Sequence, residues 1–404
     1  MSDTPTGIAP LHLAVALDGA GWHPAAWREP DADPAGLFGA PYWQRLIQQA
    51  ERGALDFVTI EDSLGLQSSR FDSQDDRTDQ VRGRLDANLI AARVAPLTSH
   101  IGLVPVATVT HTEPFHTSKA IATLDYVSNG RAGWQLRVSA RPIEAAQFGR
   151  REFPDFTLAD RDQPAVRALL TELFDEAADY VEVVRRLWDS WEDDAVIRDV
   201  ATGRFVDTDR LHYIGFSGKW FSVKGPSITP RPPQGQPLVT LLAHGTTQYR
   251  LAARSADLVY VTPDDVEAAE VIVREIRAEQ EAAGRADEPL HVFGDLVVFL
   301  DDTEQAARDR EARLSELAGV EHTSDAHVFT GTPSQLADLL IDWQTAGLSG
   351  FRLRPAALPH DLTAIVEGLV PELRRRGRFR REYAASTLRG LLGLARPANR
   401  YTAA

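Results

Sequence analysis

Short apolar runs alternate with longer segments of helical periodicity almost from end to end of this chain, and that alternation constrains the fold more than any other feature. Runs at 12–17, 56–60, 101–108, 132–138, 238–242, 258–261, 292–300 and 350–353 read as strands. Helical patterns fall at 42–53, 82–94, 114–127, 166–188, 248–253, 264–283, 303–318, 334–345 and 362–376. Strand followed by helix, repeated, means a parallel sheet with right-handed crossovers. Eight such units favour a closed (β/α)8 TIM barrel over an open doubly wound sheet, which periodicity leaves as the alternative. Two aperiodic stretches, about 141–164 and 191–236, read as insertions; the second is dense in Gly, Pro and aromatic residues. With no internal repeat and no linker, residues 1–404 are expected to form a single barrel domain, a length barrels with insertions reach.

Composition removes several functions. There is no cysteine, so disulfides, thiolate metal sites and cysteine nucleophiles are excluded, and a reducing, cytoplasmic setting is expected. A formal charge of −15 repels phosphate backbones and argues against nucleic acid as a partner. The first ten residues lack the basic start and apolar run of a secretory signal. No apolar stretch reaches the ~18 residues a membrane span needs. One basic cluster, Arg374, Arg375, Arg376, Arg378, Arg380 and Arg381, reads as a helix end matched to the helix dipole, with a subunit contact or anion site as the alternative.

The chain lacks the glycine-rich dinucleotide and nucleotide cradles, the G-x-S-x-G elbow and H-E-x-x-H. His111 and His116 lie five apart across a loop and helix start, a poor zinc spacing, so no metal site is expected. In a barrel, chemistry gathers at the carboxyl ends of the strands. There, Trp22, His23 and Trp27 follow the first strand, lining an aromatic pocket or plugging the mouth. Asp62 follows the second strand, as ligand contact or turn cap. Thr108 and Thr110 share one face of the third, and Gln135, Arg137 and Ser139 one face of the fourth. A polar inward face is costly unless satisfied, and a polar ligand would satisfy it. The loop from His244 to Gln248, with Gly245, Thr246 and Thr247 opening a helix, suits a phosphate monoester, although threonine also caps helices without a ligand. Gly331-Thr332-Pro333-Ser334-Gln335 reads as a capping box.

Longer motifs carry a family resemblance. Ala122-Thr123-Leu124-Asp125 through Ser128, Gly130-Arg131 and Gly133-Trp134 follows A-T-L-D-x-x-S-x-G-R-x-G-W. Leu187-Trp188-Asp189-Ser190-Trp191, Gly225-Pro226, Pro233-Gln234-Gly235, Gly331-Thr332-Pro333, Pro371-Glu372-Leu373 and Arg396-Pro397-Ala398-Asn399-Arg400 extend it from about Trp22 to Arg400. Together they resemble the luciferase-like flavin-dependent monooxygenases, in the branch of nitrilotriacetate monooxygenase component A and the sulfone and alkane monooxygenases. The resemblance implies a (β/α)8 barrel with insertions. It implies reduced FMN supplied by a partner flavin reductase, O2, and transfer of one oxygen atom to a small organic substrate. It implies Asp62, Thr108, Gln135 and Ser139 near the flavin, with Gly245, Thr246 and Thr247 on its phosphate. His23 and His327 are implied as the catalytic histidines facing substrate, and a homodimer or homotetramer as the assembly; the residues themselves, Trp22 and Trp27, suggest contacts to an apolar or aromatic substrate. The chain departs from the branch at Gln135, where Asn is usual, at Val138-Ser139, at Phe174-Asp175 and at His244-Gly245-Thr246-Thr247. The stretch between Leu300 and His327 is also shorter. A deazaflavin-coenzyme oxidoreductase, which would want a basic rim near Arg250 and Arg254, is the first alternative. A flavin-binding protein without turnover is the second, and a metal-dependent barrel hydrolase comes last.

Overall fold

In the computed structural model, which describes residues 10–68 and 74–402, the alternation closes on itself. Residues 1–9, where a signal segment would begin, lie outside the described residues. Strands β1 (His12–Leu17), β2 (Phe57–Ile60), β3 (Gly102–Thr108), β4 (Gly133–Arg137), β5 (Leu238–Ala243), β6 (Leu258–Val261) and β7 (His291–Leu300) follow in order around the ring. A short strand, β8 (His327–Gly331), precedes the last barrel strand, β9 (Gly350–Pro355). Every pairing in this sheet is parallel; β6 meets β7, β7 meets β9, and β9 meets β1, so the eight expected strands form a closed barrel and the open sheet is excluded.

β8 was not expected from the sequence. Strand β7 is long enough to border β6 along its first half (Leu258 opposite His291) and β8 along its second (Leu296 opposite His327), so β8 extends the wall above the ring without belonging to it.

The helices form the outer layer for legible reasons. In α1 (Ala40–Arg52) proline sits in the first turn, and Tyr42, Trp43, Leu46, Ile47 and Ala50 line one buried face. Helix α2 (Ala87–Val94) starts later than its 82–94 pattern. Asp86 accepts the Leu89 N–H as N-cap, while Arg82 and Arg84 are drawn into ion pairs with Asp75 and Asp18. Next come α3 (Pro114–Val127), the long α4 (Pro164–Asp189), α5 (Thr246–Ser255), α6 (Val266–Ala282), α7 (Glu304–Ala318) and α8 (Pro333–Gln344). α8 opens with the expected capping box of Thr332 and Gln335. The 362–376 pattern is helical from His360 to Arg375, passing through a π turn at Ile365–Leu369 just ahead of Pro371. The first insertion holds a short helix (Pro142–Ala146); the second holds two small antiparallel hairpins.

Inside the ring, Ala14, Phe57, Val104, Leu238, Leu258, Tyr260 and Phe293 make an apolar layer. Leu388, Leu392 and Leu394 pack against it from the amino-terminal end of the strands and seal that end. Gly102 makes room: a Cβ there would meet the Leu388 side chain at 2.6 Å. The clustered arginines belong to this end. Arg374 donates to the Gly53 carbonyl, Arg375 and Arg376 pair with Glu372, and Arg380 pairs with buried Asp56. The helix-end reading therefore fits Arg374, Arg375 and Arg376, half of the cluster, each with an intramolecular partner.

Candidate active site

One step above the apolar layer the inward positions turn polar. The Arg352 guanidinium donates to Asp295 from Nε (3.0 Å) and Nη2 (2.5 Å), and from Nη1 to Gln135 Oε1 (2.5 Å), while lying 3.9 Å from the Tyr260 ring centre. Arg354 also donates to Asp295 (2.5 Å), reaches Asp325 (2.6 Å) and lies over Trp22 at 4.5 Å. Burial pushes the Asp295 carboxyl up, but the two guanidiniums outweigh it and hold the group below the usual carboxylate range. Glu61, 3.6 Å from Arg352, is pushed up by burial despite that neighbour, and its Oε1 has no hydrogen-bond partner.

The mouth above this layer collects the loops. Gly21, at φ +130, brings the first loop against the last strand; a Cβ would meet the Ala356 carbonyl at 2.4 Å. The close approach lets Trp22 and His23 donate their N–H groups to Pro355 (3.0 Å) and Ala356 (2.9 Å). Trp22 thus covers Arg354, with its own Nε1 donating to the Ala16 carbonyl (3.3 Å). Trp27 instead points to the neighbouring loop, donating to the Asp79 carbonyl (2.9 Å).

His23 is 2% exposed. The Ala25 N–H donates to its Nδ1 (3.1 Å), so the neutral ring carries its proton on Nε2, and that N–H has no acceptor. Burial, reinforced by His322 and Arg310, pushes its pKa down to about 3. His322, in the loop after α7, stands 4.9 Å away between ring centres, and its buried Nε2 is also unpartnered. His327 does not join them: it packs edge-on against Trp343 of α8 at 5.4 Å, on the side facing the outer helices.

Asp62 accepts the backbone N–H groups of Ser63 (2.7 Å) and Ala87 (3.0 Å), so both carboxylate oxygens act as caps. Thr108 and Ser139 are buried at the ends of β3 and β4, where Ser139 N–H donates to Thr110 Oγ1 (2.9 Å). Glu144, fully buried in the first insertion, accepts from Ser63 (3.0 Å), Arg137 (3.0 Å) and Arg141 (3.2 Å), binding the β2 and β4 ends together. Gly245 is the N-cap of α5, and no side chain caps that end; Thr246 Oγ1 is turned to Glu275 (2.5 Å). Among the described helices of eight residues or more, α5 alone begins with neither a capping side chain nor a proline in its first turn. His111 stacks on Phe148 at 5.2 Å, and among the described residues no group of three or more His, Asp or Glu could hold a metal ion. Nor is any described helix long and apolar enough to cross a membrane.

The network of Asp295, Arg352 and Arg354, with Glu144 and His322, was not singled out from the sequence. A signal existed for part of it: Arg352 and Arg354 alternate inside an apolar strand, which places both on its inner face.

A closed parallel barrel with aromatic rings, unpartnered imidazoles and an open helix end at the carboxyl ends of its strands is a barrel enzyme with its site at the mouth. Comparison with known proteins makes this specific: the chain belongs to the luciferase-like monooxygenase family, whose profile matches residues 21–332. It is 30% identical to the N-acetyl-S-(2-succino)cysteine monooxygenase of Bacillus subtilis, the alignment covering 97% of this chain and 98% of that one. It is 31% identical to nitrilotriacetate monooxygenase component A of Aminobacter aminovorans, over 96% and 97% of the two chains. Among solved structures, the EDTA monooxygenase from Chelativorans superposes with a TM-score of 0.80 at 26% identity, covering 96% of this chain and 99% of that one. The chain is thus an enzyme of the flavin-dependent monooxygenase type.

Proposed function

We propose that this chain is the oxygenase of a two-component system: it takes reduced FMN from a separate flavin reductase and uses O2 to oxygenate a small organic substrate. The observation that carries FMN is the open N-terminus of α5, whose first N–H groups and positive dipole end suit a phosphate monoester. The unpartnered Glu61 Oε1 fits a ring N–H, and the buried Thr108, Gln135 and Ser139 offer polar atoms to the rest of the cofactor. The deazaflavin coenzyme's acidic tail would meet a poor rim, because Arg250 is paired with Glu279 and Glu275 stands beside Thr246.

Bound reduced FMN would supply the electrons that activate O2. The protein's part is to hold the phosphate at Gly245, Thr246 and Thr247, to exclude water with Trp22 and Phe299, and to orient substrate. His23, neutral near pH 7, acts there as a hydrogen-bond donor through Nε2. His327, set against Trp343, supports the wall from outside. Residues 10–402 work as one catalytic unit.

Fluorescence titration with oxidised and photoreduced FMN, followed by oxygen uptake with a flavin reductase, tests the reading. We expect the reduced form to bind, and Thr247→Glu, which puts a carboxylate at the open helix end, to weaken binding about tenfold, ~1.4 kcal/mol. No FMN binding, or binding indifferent to Thr247→Glu, would overturn it.

A further inference from the structure

Two imidazoles at the barrel mouth, His23 buried and His322 half-buried, have buried Nε2 atoms without a hydrogen-bond partner, and the groups around them limit what they can receive. His23 is fixed by the Ala25 N–H at Nδ1 and by its own backbone bond to Ala356, with Phe299 edge-on at 6.0 Å. His322 packs on the same Phe299 at 5.8 Å. An imidazole N–H buried without an acceptor costs on the order of 1–3 kcal/mol, so an unfilled donor here marks a place for a ligand atom.

We infer that His23 and His322 together bind an uncharged acceptor oxygen of the substrate, a carbonyl or sulfonyl oxygen, at their Nε2 atoms. This rests on the monooxygenase reading above and assigns the substrate class to it. An acceptor is required because the His23 Nε2 edge can only donate. A neutral one fits because the described cations beside the pair, Arg310 and Arg313, are committed to carboxylates, and Arg28, which is not, is exposed and donates to the Leu317 carbonyl (3.0 Å). Arg310 pairs with Asp361 (2.5 Å) and Asp301 (2.9 Å), and Arg313 pairs with Glu29 (2.8 Å). A carboxylate would enter this buried site with no free buried counter-charge among the described residues, which burial makes expensive. The imidazoles would not supply one, since burial holds both pKa values below the ordinary histidine value.

The test uses the full chain, with and without saturating FMN, and four probes of similar size: methyl phenyl sulfone, acetophenone, methyl phenyl sulfide and benzoate. Calorimetric titration should show the sulfone and the ketone binding at least tenfold more tightly than the sulfide and benzoate. His23→Phe and His322→Phe, which keep a flat ring and remove the nitrogen, should each erase that preference while leaving FMN affinity unchanged. His23→Gln, with an amide N–H near the former Nε2, should restore part of it. Equal binding of all four probes, tightest binding of benzoate, or a preference that survives both phenylalanine variants would each overturn the inference. Loss of FMN binding by the unaltered chain would overturn the cofactor reading alone, because the probe series is also read without FMN.

Discussion

The barrel carries a histidine pair at each end, and the two are wired differently. At the sealed end His12 and His291 meet edge to face at 5.3 Å. His12 Nδ1 bonds Asp56 (2.8 Å), while His291 Nε2 donates to the Leu392 carbonyl (2.9 Å) and its Nδ1 meets Ser349 Oγ (3.0 Å). At the mouth His23 and His322 are equally close, at 4.9 Å, yet both Nε2 atoms are left over. At the sealed end each imidazole is bonded to the fold, His291 at both nitrogens. Imidazoles that await a ligand keep an edge in reserve, and the fold bears the cost.

That contrast can be broken by experiment. The largest expected effect is at the sealed end. Leu388→Ala should cost about 3 kcal/mol in chemical denaturation by removing the cork against Gly102, with FMN affinity unchanged. Next, His291→Phe should cost about 2 kcal/mol, since the Leu392 carbonyl and Ser349 hydroxyl lose their partner. A smaller effect comes from pH. Burial and His12 push His291 down to about 4, and burial pushes His23 to about 3, so both are neutral in the fold while the unfolded chain takes up protons near 6.5. Stability is therefore full above pH 6.5 and falls as pH drops toward those values. On going from pH 7 to 5 each ring should account for about 1–2 kcal/mol, which its phenylalanine variant removes from the denaturation profile. The smallest effect is His23→Phe at pH 7, about 1 kcal/mol, because it removes one bond, the Ala25 N–H to Nδ1, while the Nε2 donor it deletes had no acceptor. If His23→Phe proved as damaging as His291→Phe, the two pairs would be alike and the contrast would fail.

Much of this was legible in the sequence, and the remainder was hidden for identifiable reasons. The eight barrel strands were legible as apolar runs, and the α8 capping box in the Thr332-Pro333-Ser334-Gln335 spacing. The strand at His327–Gly331 was not seen because it leans on only the upper half of β7, and its few residues carry no strong alternation. Its histidine, placed by resemblance at the substrate, packs edge-on against Trp343. Asp295 and Arg352 are 57 positions apart and meet only when the barrel closes, so no local pattern could join them. Glu144 sits in an aperiodic insertion, and the free edge of His322 depends on what fails to reach it. The two N–H groups that Asp62 accepts, from Ser63 and Ala87, also needed coordinates to be seen.

The closing seam between β1 and β9 has a consequence for how the molecule is made. His12 pairs with Gly350, roughly 340 positions later. At ~5–20 residues per second of synthesis, the first strand would spend on the order of 20–70 s with one edge bare before its partner leaves the ribosome. An unpaired, apolar edge of that lifetime invites pairing with other nascent chains. Yield in a cell should therefore track translation speed and chaperone supply as closely as the stability of the finished barrel.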